Sequence, residues 1–130
     1  MKILVGYTGT VVAQEALALA REHALVFKAH VLVVTSLEGG SGENPEQIGQ
    51  VEQDLREAGK FLKDRGVSCE TKQLVRGLSP GEDLVRYADE HEVDLIYVGI
   101  RKKSRTQKII LGSTAQYIIL KAPCPVMTVK

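Results

Sequence analysis

Five short apolar runs punctuate the chain, at residues 2–7, 31–34, 67–75, 94–99 and 125–129. Those around Leu4, Leu32 and Ile96 are apolar almost without interruption, the pattern of strands covered on both faces. The run at 67–75 includes Glu70 and Lys72 and therefore predicts an edge strand. Between the runs, apolar residues recur at helical spacing. Ala13, Ala16, Leu17, Ala20, Ala24 and Phe27 form one stripe, with Thr10 as its N-cap. Ile48, Val51, Leu55, Ala58 and Leu62 form a second, opened by Asn44-Pro45 and closed by Gly66. A third runs through Leu84, Val85 and Ala88 to about His91, after Ser79-Pro80-Gly81-Glu82, which predicts a capping box. The fourth holds Tyr117, Ile118 and Leu120. Ser113 and Gln116 predict its capping box, and Ala122-Pro123 its end.

Strands and helices alternating in this way predict an α/β fold: an open, doubly wound, five-stranded parallel sheet with helices on both faces. At 130 residues, a single domain over 1–130 is expected. Residues 38–43 (EGGSGE) read as a loop too short to separate domains. Sheets of this kind take ligands at the carboxyl ends of their strands, where the strand order reverses. If the first and fourth strands are neighbours, that place gathers Tyr7, Thr8 and Gly9, then Thr35 and Ser36, and the stretch that begins at Gly99.

That stretch is the most informative in the chain. Gly99 ends an apolar run, Arg101, Lys102, Lys103, Arg105 and Lys108 follow, and Gly112-Ser113-Thr114 opens a helix. The formal net charge is only +1, so the cationic excess is local. Three readings of it stand: a solvated loop, a phosphate contact, or a nucleic-acid contact. The third ranks last, because the loop carries no aromatic residue for base stacking.

The remaining chemistry narrows the class. Cys69 and Cys124 have no metal or redox spacing and read as small core residues in a reducing compartment. His23, His30 and His91 are scattered without ligand spacing, so no metal site is expected. Tyr7 and Tyr97 read as packing residues, with Tyr7 also placed to line a base pocket. No signal peptide or membrane-spanning run is evident, and a cytoplasmic protein without membrane contact is expected. Asp and Glu fall mainly on helices, as solvated faces, and no nucleophile has a paired base. The expectation is no enzyme, with at most slow, incidental hydrolysis.

These residues resemble the universal stress protein family over the whole chain. The family's glycine signature, G-x2-G-x9-G-[ST], is matched at its ends by Gly99 and Gly112-Ser113, and the ending AQYIILKAPCPVMTVK resembles the family's last helix and strand. The resemblance implies strand order 3-2-1-4-5 and a stress-response or signalling module that binds ATP or a related adenine nucleotide. Mg²⁺ could accompany that nucleotide. The residues implied are Gly6, Tyr7, Thr8, Ser36, Gly99, Arg101, Lys102, Gly112, Ser113 and Thr114. It also implies a homodimer through Val126, Met127, Thr128 and Val129, and a protein partner of unknown identity. Two positions depart from the pattern: Lys102 stands for the middle glycine, and Thr8 for the aspartate of ATP-binding members. A charge-assisted hydrogen bond of about 1.5–3 kcal/mol is thereby exchanged for a neutral one of about 0.5–1.5 kcal/mol. The alternative is a member without nucleotide that acts as a protein-interaction module.

Overall fold

The computed structural model describes residues 1–39, 44–101 and 111–130. Lys102, Lys103, Arg105 and Lys108, and most of the 38–43 loop, lie outside the described residues. The elements are β1 (Lys2–Gly6), α1 (Val11–Phe27), β2 (His30–Leu37), α2 (Pro45–Lys63), β3 (Cys69–Val75), α3 (Pro80–Glu90), β4 (Leu95–Gly99), α4 (Ser113–Lys121) and β5 (Val126–Val129). They build one parallel sheet in the order β3-β2-β1-β4-β5, with β3 at an edge as its polar content requires.

Alternation within the strands sorts side chains to two faces. Ile3, Val5, Val31, Val33 and Tyr97 pack against Ala13, Leu17 and Ala20 of α1 and Leu55 and Leu62 of α2. Leu4, Leu32, Val34, Ile96 and Val98 pack against Leu84, Tyr87 and Ala88 of α3 and Ile118 of α4. Burying each large aliphatic chain contributes about 1.5–3 kcal/mol, and β1, β2 and β4 are buried on both sides. Cys69 and Cys124 are free thiols, half-buried at the margins of the two cores, where burial pushes both thiols above their ordinary range.

Helix starts follow the sequence at α1 and α2. Thr10 Oγ1 accepts from the Ala13 amide at 3.3 Å and Asn44 Oδ1 from the Gln47 amide at 2.8 Å. The other two differ. Ser79 is the N-cap of α3 but makes no side-chain cap bond. At α4 the N-cap is Gly112, one residue earlier than the expected Ser113, and Gln116 Nε2 turns outward to the Leu111 carbonyl at 2.8 Å. The Ser113–Gln116 capping box therefore does not form. β2 also runs three residues beyond Val34, carrying Thr35 and Ser36 inside the strand.

Candidate functional site

The strand order reverses between β1 and β4, and a cavity of about 620 Å³ opens there at the carboxyl ends of β1, β2 and β4. Of the ten residues expected at the site, Gly6, Tyr7, Thr8, Ser36, Gly99, Arg101, Gly112 and Thr114 line it. Ser113 is exposed and does not. Lys102 lies outside the described residues.

Tyr7 follows β1 and is almost fully buried. Its amide donates to the Val34 carbonyl at 2.9 Å, and its carbonyl accepts the Thr35 hydroxyl at 2.6 Å. These bonds lock the ends of β1 and β2 together. Burial, and then the nearby Asp54 and Glu57 charges, push the Tyr7 phenol above its ordinary range; the side chain packs in the core on the α1 and α2 face. The Thr8 hydroxyl lies 3.1 Å from the Thr10 hydroxyl.

The two glycines that drew attention in the sequence do different work. A Cβ on Gly99 would lie 2.7 Å from the carbonyl carbon and oxygen of Val12 and 2.9 Å from the Ala13 amide nitrogen. Gly99 is thus needed so that the first turn of α1 can rest on β4, and it lines the cavity as well. Gly112 has an ordinary φ of −66°, and no atom of the described residues lies within 4 Å of its would-be Cβ. Neither backbone nor neighbours require a glycine there. Gly112 and Ser113 are exposed, and among the described residues no side chain caps the first-turn amides of α4. Arg101 lines the same cavity. A helix N-terminus and a guanidinium together favour an anion.

Sequence reasoning missed the apolar floor: Val34, Leu84, Val98 and Ile118 line the cavity between the sheet and helices α3 and α4. It also missed Asp83. Expected among solvated carboxylates, Asp83 is 0% exposed. Its Oδ2 accepts the Ser36 hydroxyl at 2.6 Å and its Oδ1 accepts Arg76 Nε at 2.6 Å, while Arg76 Nη1 donates to Glu90 at 2.8 Å. The bonds to Glu90 and Asp83 hold the Arg76 guanidinium above its usual range. One signal was available: Asp83 precedes Tyr87 by four residues and shares its buried helix face.

Among the described residues, no three His, Cys, Asp or Glu side chains converge as a metal site, and no carboxylate lines the cavity. No described helix is long and apolar enough to cross a membrane.

The sequence model of the universal stress protein family matches residues 1–130. A universal stress protein of Archaeoglobus fulgidus superimposes with a TM-score of 0.88 at 37% identity, over 99% of this chain and 96% of that one. A structure of the universal stress protein from Archaeoglobus fulgidus in complex with dAMP matches with a TM-score of 0.82 at 33% identity, over 99% and 95%. A universal stress protein of Methanocaldococcus jannaschii is 32% identical over 125 residues, covering 91% of this chain and 72% of that protein.

Proposed function

The chain belongs to the universal stress protein family, and we propose that it is a stress-response or signalling module that binds ATP or a related adenine nucleotide in the cavity at the ends of β1, β2 and β4. One observation carries the reading: the cavity is polar at one end and apolar along its floor. The exposed N-terminus of α4 and Arg101 suit phosphate, and Val34, Leu84 and Val98 suit a flat base. The dAMP held by the relative at 33% identity supports it.

The role is binding rather than turnover. The described lining carries hydroxyls and one guanidinium, with no carboxylate, imidazole or thiol to act as a base. A Mg²⁺ ion would accordingly take its ligands from the nucleotide's phosphates and from water. Two free thiols fit a reducing, cytoplasmic setting. The second edge strand, β5, supports a homodimer, because an open edge needs a partner.

Calorimetry with ATP and AMP on the full chain tests the reading. Saturable heat at a stoichiometry of about one per chain is expected. No heat and no thermal shift at millimolar concentration would reject it. Thr8 in place of the acid favours the second reading, an interaction module without nucleotide. Mass spectrometry separates the two: stoichiometric adenine nucleotide released from freshly purified protein excludes the second.

A further inference from the structure

We propose that the chain Arg76–Asp83–Ser36 fixes the Ser36 hydroxyl as a hydrogen-bond acceptor on the cavity wall, and that the site therefore selects a purine with an exocyclic amino group over one with a carbonyl there. The proposal rests on the reading of the cavity as a nucleotide site.

Ser36 Oγ has one proton and two lone pairs. Asp83 takes the proton. A carboxylate paired with a guanidinium only accepts, and Asp83 is fully buried with Arg76 on its other oxygen. Turning the Ser36 proton toward the cavity would leave Asp83 Oδ2 without the donor it has at 2.6 Å, inside the protein. Glu90 holds the far side of the Arg76 guanidinium, so the arrangement is braced from both ends. What Ser36 offers the cavity is therefore lone pairs alone.

The sheet order says which part of a nucleotide meets it. Arg101, Gly112 and Thr114 belong to the β4 and α4 side, where phosphate is favoured. Ser36 lies at the end of β2, on the far side of β1. A nucleotide with phosphate at α4 reaches β2 with its base. An amino group there satisfies Ser36, whereas a carbonyl sets acceptor against acceptor and leaves both unpaired.

Calorimetry with AMP and IMP, which differ in amino against carbonyl at C6 and in an N1 that accepts in AMP but donates in IMP, reads the selection. Wild type should bind AMP about tenfold more tightly than IMP. Asp83→Asn is the decisive variant: its amide oxygen still accepts from Arg76, and its NH₂ now donates to Ser36 Oγ, which frees the Ser36 proton for the cavity. The AMP/IMP ratio should fall to about one or invert. Should Asp83→Asn fail to fold, Ser36→Ala removes the acceptor outright and should also level the ratio. Equal AMP and IMP binding by wild type overturns the proposal and leaves nucleotide binding intact, as does a ratio unchanged in either folded variant. Failure of wild type to bind either nucleotide removes the nucleotide reading itself, and this selection with it.

Discussion

Gly99 lies so close to Val12 that a methyl group on it would meet the Val12 carbonyl carbon and oxygen at 2.7 Å. Backbone of α1, not a mobile side chain, fills that space, so nothing nearby can move aside cheaply. Gly99→Ala should then force α1 away from β4 at a cost of about 1–3 kcal/mol, read as a lowered urea midpoint at unchanged slope. A variant as stable as wild type would show that the α1 turn is not rigidly seated.

Gly112→Ala should behave in the opposite way. Its φ suits alanine and no described residue crowds its would-be Cβ, so the stability change should be limited to the loss of a good N-cap, at most about 1 kcal/mol. The methyl group instead occupies the approach to the free amides of α4. Adenine-nucleotide affinity, measured by calorimetry, should fall at least about tenfold, because charge-assisted bonds to those amides are obstructed. Unaltered affinity would mean that phosphate does not contact the start of α4.

The contrast between these glycines marks how far the sequence could be read. Periodicity alone was enough for the five strands and four helices, because continuous apolar runs and 3.6-residue stripes have few alternative explanations. The strand order followed from a resemblance and holds in the sheet. Spacing brought Gly99 and Gly112 to notice together, yet it could not separate a packing glycine from an open one, which takes the three-dimensional position of Val12. Capping at α4 misled for a related reason: Gly112 and Ser113 are both good N-caps, and helix geometry chose the one without a side chain. Asp83 was hidden because a carboxylate on a helix is usually solvated, and its partners Ser36 and Arg76 come from a different strand and a loop.

Arg76 neutralises a carboxylate that water does not reach. Arg76→Met leaves Asp83 buried with an uncompensated charge, and should destabilise the fold by about 3 kcal/mol in urea denaturation. Glu90 is partly exposed, so Glu90→Gln at the other end of the same guanidinium should cost no more than about 1 kcal/mol. Comparable losses in the two variants would contradict the assignment of Asp83 as the partner that matters.

Alkaline pH should weaken the fold through its buried phenols. Burial raises Tyr7 and Tyr97, and raises Tyr87 as well, above the ordinary value of 10.0. A raised folded pKa means that the native state keeps its protons longer than the unfolded chain does. The stability contribution is then complete below pH 10.0 and is lost as pH rises from there through the folded values. The thiols, raised from 9.0, add a shallower decline that begins about one unit earlier. Urea midpoints should be flat between pH 7 and 8.5, and drop above pH 10. Tyr97→Phe should make that drop less steep, and a slope identical to wild type would exclude Tyr97 as a contributor.

Dimerisation through β5 can be tested at a single backbone position. The Pro125 and Val129 carbonyls accept from Ile96 at 3.1 Å and Ile100 at 2.6 Å, so odd-numbered residues of β5 face β4. By alternation, the amide and carbonyl of Thr128 point to the free edge of the sheet. Thr128→Pro removes an outward N–H and leaves the bonds to β4 in place, a substitution that edge strands tolerate. Met127, 38% exposed, is one of the apolar side chains a second copy would cover. Wild type should run as a dimer in light scattering coupled to size-exclusion chromatography. Thr128→Pro should run as a folded monomer with an unchanged far-ultraviolet dichroism spectrum. A Thr128→Pro protein that stayed dimeric would move the interface away from β5.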